Sequence, residues 1–434
     1  MTAMRVAFIA HQPTKEGAGL FLIDAIDFLR AKHIDILAIA PSQGPFSEAL
    51  VQRGIECRYI ESPWWTRKSK GGPPYRETLD SARQMSAILK EWGANIVYTN
   101  TIVAPAGAFS AALTGLPHIW HIHEFAYNPE LIEMSLPKRD LATFIMQTSN
   151  VILFNSHAVA SEWEGLFEKT RTAIVYNWTQ LNGGIHSGSE RFPLEQKIDN
   201  LRNRNFFSHI ASVVRGKRQL DSLIALKNLV SGGHDIVLIF AGPIIDSHYY
   251  HELCAYIQNN NLDDNVRFIG YVDMPAAVLN QSVATLVCSH QEAFGRVTLE
   301  SMAVGVPVIG AASAGTAEII QNEVNGLLFP PGDIDTLTRQ MLRLLSDHGL
   351  RNRLSIQGLE RVKRFSSPEK EMEPIVHLMH ELLQERNPSW PLGHYLSFGM
   401  LPNETNSSRL VPILHSWKNY IKLACAKLTS RFRY

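Results

Sequence analysis

The sequence predicts an α/β protein of two domains, each a parallel sheet covered by helices on both faces, with a cleft between them. Three observations carry this. Short apolar runs alternate with segments long enough for helices. The alternation stops once, near the middle of the chain, and then restarts. A length of 434 residues is enough for two domains that each bury a core.

In the first half, Arg5–Ala10 (RVAFIA), Ile34–Ala40 (IDILAIA), Asn95–Thr99 (NIVYT), His118–Ile122, Val151–Phe154 and Ala173–Tyr176 read as strands. Helical spacing lies between them at Gly19–Arg30 and Thr78–Trp92. Apolar runs this short, separated by helices, fit strands buried on both faces. Gln180–Asn205 is rich in glycine and serine and poor in aliphatic residues, so it reads as a connection. The rhythm resumes with strands at Phe207–Val214, Ile236–Ala241, Val266–Gly270, Ala284–Cys288, Pro307–Gly310 and Gly326–Phe329. Helices such as Gln219–Val230 and Thr336–Ser346 lie between these strands. The domains are thus expected at 1–185 and 203–378, with a C-terminal extension at 379–434.

Lys plus Arg and Asp plus Glu number 41 each, so no net charge draws the chain to nucleic acid or to a membrane surface. Its four cysteines are scattered, with no CxxC pair, which suits reduced thiols. Met1–Ala10 runs straight into a strand pattern and lacks the form of a signal peptide. No apolar run reaches the roughly 18 residues a membrane span needs. A cytoplasmic protein is the expectation. In the extension, Asn387–Asn406 is rich in Pro, Gly and polar residues. Beyond it, Leu414, Trp417, Ile421, Ala424 and Leu428 form an apolar stripe decorated by Lys418, Lys422, Lys427, Arg431 and Arg433. Such a helix either lies on the inner face of an anionic membrane as a peripheral contact or packs back on the protein.

Rossmann-like domains bind ligands at the carboxyl ends of their strands, and two facing domains enclose a cleft there. The densest pattern in that place is Glu292–Gly310, EAFGRVTLESMAVGVPVIG. A turn at Ala293–Gly295 leads into a helix over Val297–Val304, ended by Gly305 and Pro307. The exposed N–H groups and positive end of such a helix attract phosphate. Gly295 lets the backbone come close. Glu292, before the helix, can accept bonds from sugar hydroxyls. Glu300, two turns on, can accept both hydroxyls of a ribose.

E-x-F-G-x-x-x-x-E followed by A-x-G-x-P-V resembles the signature of the family-four retaining glycosyltransferases, which have the GT-B fold of two Rossmann-like domains. The resemblance implies transfer of a sugar from a UDP- or GDP-sugar to a hydroxyl of a glycan or lipid-linked acceptor, with retention. It places Phe294, Gly295, Arg296 and Val297 around the donor. Ile210–Leu220 resembles the family's V-G-R-L-x-P-x-K-G, which puts Lys217 on the donor diphosphate. Ala211-Ser212 stands where the family often has Gly-Arg, and Arg215 is the substitute cation this reading nominates. Ala314-Gly315-Thr316 with Glu318 resembles the family's G-G-x-x-E loop, so Gly315 and Thr316 are expected at the sugar or phosphate. Read on its own, Glu318 is a carboxylate at a helix N-terminus.

Gly17-Ala18-Gly19 resembles the family's glycine-rich loop after the first strand. Leu22 occupies the third glycine position of a G-x-G-x-x-G pattern, which counts against a nicotinamide dehydrogenase. In His121-Ile122-His123-Glu124, the family's H-D or H-E pair maps His123 beside the donor sugar. The same residues invite a metal, but no third ligand follows in a characteristic motif, and no D-x-D stands out. No metal or cofactor is expected. Asn155-Ser156 and Tyr176-Asn177 resemble family loops and fit helix capping equally well. Glu292, His123 and Lys217 are therefore the candidate catalytic groups. Two rivals remain: a nucleotide-sugar epimerase on a similar body, and a non-catalytic nucleotide-sugar-binding protein.

Overall fold

The computed structural model describes residues 4–67, 73–167, 170–179, 204–272 and 274–385. The first domain runs β1 (Arg5–Ile9), α1 (Gly17–Ala31), β2 (Asp35–Ala40), α2 (Pro45–Gln52), β3 (Glu56–Tyr59), α3 (Tyr75–Trp92), β4 (Ile96–Thr99), α4 (Ala106–Thr114) and β5 (His118–Ile122). A small antiparallel hairpin of β6 (Tyr127–Asn128) and β7 (Ile132–Glu133) follows, then α5 (Lys138–Thr148), β8 (Val151–Phe154), α6 (His157–Ser161) and β9 (Arg171–Ile174). The second domain runs β10 (Asn205–Ile210), α7 (Gln219–Ser231), β11 (Ile236–Ala241), α8 (Ser247–Asn259), β12 (Val266–Gly270), α9 (Ala276–Leu279) and β13 (Thr285–Val287). It continues with α10 (Arg296–Ala303), β14 (Val308–Ala311), α11 (Ala314–Ile319), β15 (Leu327–Phe329), α12 (Ile334–Ser346) and α13 (His348–Val362); α14 (Pro368–Gln384) closes the described chain.

Both large sheets are parallel, in the orders β3-β2-β1-β4-β5-β8-β9 and β12-β11-β10-β13-β14-β15. Each strand is apolar on two faces because helices cover both. Val6 and Phe8 point into the core under α1, while Ala7 and Ile9 point into the core under α3 and α4. The second sheet repeats this, with Leu238 and Phe240 on one side and Val237 and Ile239 on the other.

The order in which strands are added reverses beside β1 in one sheet and beside β10 in the other. At such a switch point the loops after neighbouring strands splay apart and leave a crevice. The loops after β1 and β4 flank one crevice, and the loops after β10 and β13 flank the other. Gly17, Lys217, Glu292 and Gly295 follow β1, β10 and β13 for that reason, whereas His123 follows β5 and Gly315 and Thr316 follow β14.

Two sequence expectations need correction. The strand expected over Phe207–Val214 ends at Ile210, because Ala211–Val214 leave the sheet to carry the chain toward Lys217. The second domain was expected to reach residue 378, but α14 packs on the first domain. Met372, Ile375, Val376, Met379 and Leu382 share one core with Val6, Phe8, Phe21 and Leu29. The edge strand β3 escaped the sequence reading because its ECRY carries no apolar run. Most of the connection 180–205 and all of the extension beyond residue 385, including the amphipathic stripe, lie outside the described residues. Among the described residues, no helix is long and apolar enough to cross a membrane.

Candidate functional site

A cavity of about 380 Å³ lies between the domains, at the mouths of both switch points. Lys217, Glu292, Gly295, Arg296, Val297 and Glu300 line it from the second domain, and Gly17 from the first. Residues some 80 positions apart in sequence, such as Lys217 and Glu300, therefore meet in one place, as their loop positions predict.

At its centre, Lys217 Nζ donates to Glu292 Oε2 at 2.7 Å. A short helical turn, Arg215–Lys217, presents the lysine. The turn is packed tightly against the β6–β7 hairpin of the first domain. A Cβ on Gly216 would lie 2.4 Å from Leu131 Cγ, so a larger residue there would have to push that leucine aside. Beneath the turn, His209 is buried in the cavity wall and held by Ser222 Oγ at 2.8 Å. Burial, with Lys217 beside it, pushes its pKa down to about 3, so it adds no charge.

Gly295 caps α10 with φ +101°, a backbone that L side chains rarely adopt. Its turn aims the first N–H groups of α10 into the cavity, where the helix end favours an anion. One turn along α10, Arg296 Nε donates to Glu300 Oε1 at 2.8 Å. Arg296 also reaches Asp24 Oδ2 of the first domain, at 3.3 Å from each terminal nitrogen.

Not every nominated residue faces this cavity. Arg215 is held by Glu252 at 2.7 and 2.9 Å and lies over the Tyr249 ring, outside the cavity lining. It does not replace the arginine that Ser212 lacks. Phe294 is a core residue whose ring sits 5.6 Å from Tyr176 and 5.9 Å from Phe365; its backbone, not its side chain, shapes the turn. Gly19 lies inside the first turn of α1, where a Cβ would come 2.7 Å from Thr14 O, so only Gly17 reaches the cavity.

Gly315 and Thr316 sit behind the catalytic loop rather than in front of it. Gly315 N–H donates to Glu292 O at 2.9 Å, and a Cβ there would lie 2.5 Å from Phe294 Cα. Thr316 is fully buried. Ala314, which replaces a family glycine, has φ +48°. Adjacent substitutions should therefore act oppositely in denaturant unfolding. Gly315→Ala forces backbone apart and is expected to lower stability by about 1–3 kcal/mol. Ala314→Gly relieves a left-handed residue and should raise it by up to roughly 1 kcal/mol.

Glu318 is neither a sugar ligand nor a cap for its own helix. Its carboxylate accepts from Ala158 N at 2.6 Å, His157 N at 3.1 Å and Tyr176 OH at 3.0 Å. It therefore caps α6 of the opposite domain. Ser156 caps the same helix through Val159 N–H and donates to Ala293 O beside Glu292.

His123 lies at the end of β5, fully buried in the first-domain wall. Asn100 Nδ2 donates to Ala18 O at 2.8 Å, which turns its Oδ1 to His123 Nε2, also at 2.8 Å. That oxygen can only accept, so Nε2 carries the proton and Nδ1 is left as a buried acceptor with no hydrogen-bond partner among the described residues. His123 is not among the residues that line the cavity, so the ring expected beside the donor sugar stands behind the wall. The His123 ring lies tilted against His121, centroids 3.9 Å apart, and His121 bonds Tyr98 OH at 2.7 Å, so the two histidines have separate hydrogen-bond partners. Glu124 accepts from Thr101 Oγ1 at 2.8 Å and from Ile102 N and His123 N at 3.1 Å, tying the ends of β4 and β5 together.

Sequence reading missed Lys15, Glu16 and Asp24. Lys15 and Glu16 line the cavity beside Gly17, and burial raises the Glu16 carboxyl while Lys217 lowers it. No motif marks them, since their role comes from the approach of the other domain.

The buried rings set a stability profile. Burial pushes His11 and His118 down to about 4, His123 and His209 to about 3, and His121 well below its ordinary 6.5. Above pH 6.5 these rings are neutral folded or unfolded and add nothing. Below it the unfolded chain binds protons that the fold refuses, so stability falls. Glu124 acts the other way. Burial raises it from 4.5 to about 7, so its contribution declines as pH rises through that window. Burial also raises Glu16, Asp24, Glu162, Asp221 and Glu371, by smaller shifts, and the five rings outweigh these carboxyls together with Glu124. The Tm should be highest near pH 7 and fall by on the order of 10 °C by pH 4.5 in a thermal scan.

The fold and cavity define a class: a two-domain Rossmann-like protein whose interdomain site offers a cation and helix end to an anion, and carboxylates to hydroxyls. The comparisons give the family. Residues 16–182 match Glycosyltransferase Family 4, and residues 191–361 match Glycosyl transferases group 1. The chain belongs to this glycosyltransferase family. It is 27% identical over 251 residues to N-acetyl-alpha-D-glucosaminyl L-malate synthase of Bacillus anthracis, covering 57% of this chain and 63% of that protein. It is 26% identical over 193 residues to the capsular polysaccharide biosynthesis glycosyltransferase CapM of Staphylococcus aureus, covering 44% of this chain and 50% of that one. The matches thus span between half and just under two thirds of these relatives' length. In fold, the chain resembles Anabaena Alr3699/HepE in complex with UDP and glucose, with a TM-score of 0.73, 20% identity, and coverage of 87% of this chain and 100% of that one.

Proposed function

We propose that the protein transfers a hexose-type sugar from a UDP- or GDP-sugar to a hydroxyl acceptor in glycan or glycolipid assembly, with retention of the anomeric configuration. The observation that carries this reading is the Lys217–Glu292 pair set beside the Gly295 end of α10, with Glu300 in the same interdomain cavity. The relatives' names, and the UDP and glucose of the HepE structure, support a nucleotide-sugar donor and a glycan acceptor.

In this reading the diphosphate lies over the start of α10 with Lys217 against it, and the ammonium offsets the charge that grows as the sugar leaves. Glu292 holds sugar hydroxyls and Glu300 the ribose. His123 supports the first-domain wall from behind, through Asn100 and the first turn of α1. The acceptor hydroxyl attacks from the face the diphosphate leaves. A closed cleft keeps water from taking the acceptor's place.

Lys217 and the helix end do the work a divalent ion would do, so transfer should need no metal and proceed unchanged in excess EDTA. In this reading the protein acts in the cytoplasm, and a lipid-linked acceptor would bring it to the inner face of the membrane.

The test is a thermal-shift panel of UDP-, GDP-, ADP- and TDP-sugars, followed by NMR assignment of the product anomer. One donor should raise the Tm and yield an axial or equatorial linkage matching its own. Isomerisation of a donor with no acceptor present would instead identify an epimerase. Binding without transfer or slow hydrolysis would identify a non-catalytic binder.

A further inference from the structure

Arg296 occupies an electrostatically awkward position. It is the first residue of α10, where the helix dipole disfavours a cation, and its guanidinium is largely buried. What holds it is a pair of carboxylates from opposite domains. Nε donates to Glu300 Oε1 at 2.8 Å, and the terminal nitrogens reach Asp24 Oδ2 at 3.3 Å. Asp24 lies on α1 of the first domain, about two-thirds buried, and burial raises its carboxyl against the pull of Arg296.

Resting on the reading of Glu300 as the ribose ligand, we propose that Asp24 is a positioning residue for the nucleotide, acting through Arg296 across the cleft. Glu300 needs a free oxygen and a fixed angle to accept a ribose diol. With the domains together, Asp24 draws the guanidinium aside, so Arg296 engages Glu300 through Nε alone and leaves Oε2 to the ligand. With the domains apart, Asp24 is gone. The guanidinium can then swing onto both Glu300 oxygens as a bidentate pair, and it competes with the ribose for them. Nucleotide affinity is thereby tied to closure, and by linkage the nucleotide favours the closed form to the same degree.

The full chain is titrated calorimetrically with UDP and with GDP, as wild type and as Asp24→Asn, Arg296→Gln and the double variant; circular dichroism checks that each is folded. Asp24→Asn should weaken whichever nucleotide the wild type binds by about tenfold, because Arg296 is released onto Glu300. The double variant should bind better than Asp24→Asn alone, since the competitor has been removed. A purely structural role for Asp24 would not produce that rescue. Unchanged affinity in Asp24→Asn, or a double variant no better than the single, overturns the proposal. Small-angle scattering without ligand provides a readout independent of the site's assignment. Asp24→Asn should be the more expanded, and an identical profile counts against the tie. If the wild type binds neither nucleotide, the ribose role of Glu300 fails, and scattering alone then decides whether Asp24 holds the cleft.

Discussion

Lys217→Met is expected to lower kcat/KM for sugar transfer about a thousandfold while leaving the fold intact, the scale of losing one preorganised charge at a developing oxyanion. The lysine side chain is a quarter exposed and supports no core, so the variant should melt near the wild type. Its loss has two parts. The departing diphosphate loses its ammonium. In addition, Glu292 at 2.7 Å is left unpaired, and Glu16, which Lys217 also holds down, lines the same cavity. Without the lysine, those carboxylates repel the diphosphate that the site should hold. Adding Glu292→Gln to Lys217→Met should therefore recover part of the lost nucleotide affinity, although it cannot restore transfer. Steady-state rates combined with calorimetry separate the two parts. A Lys217→Met enzyme within tenfold of wild type would mean the diphosphate lies elsewhere.

Glu300→Ala should act on binding rather than on chemistry. A carboxylate that accepts from a charged or polar pair contributes a few kcal/mol, so its removal should weaken nucleotide affinity on the order of 100-fold. The turnover of bound donor should change much less. Glu292→Ala should show the converse, with modest loss of nucleotide affinity and a large loss of kcat. Equal loss of both quantities in both variants would contradict this division of roles. Glu300 lies along α10 from the helix end, while Glu292 sits before it beside the lysine, and that spacing separates ribose from sugar.

The site was partly legible in the sequence. Glu292, Gly295 and Glu300 could be found because they lie on one short segment whose turn and helix are local matters. Lys217 was legible only through the resemblance of Ile210–Leu220 to the family's motif. Arg215 was misjudged because sequence does not tell which carboxylate will take a cation, and Glu252 took this one. Phe294 and Gly315 stand in family motifs yet act from behind the loop, through packing that no spacing reveals. Asp24 resembles any acid on a helix until the second domain brings Arg296 to it. The alternating rhythm foretold both sheets, since apolar strands buried on two faces have few other uses. The boundary at 378 failed because which domain takes up α14 is decided by tertiary packing and not by the local pattern.

The return of α14 to the first domain governs how the protein can move. The backbone leaves that domain near Thr179 and comes back near Phe365, and there Thr179 N–H donates to Phe365 O at 3.0 Å. Next to this, Tyr176 N–H is held by Glu371 of α14 at 2.9 Å, and its ring meets Phe365 at 5.3 Å. The second domain is thus an insertion hung on two adjacent strands of chain pinned side by side, like a door on a pair of neighbouring pivots. Such a mounting resists twist and sideways slip, and leaves a swing about the line through the two crossings as the soft motion.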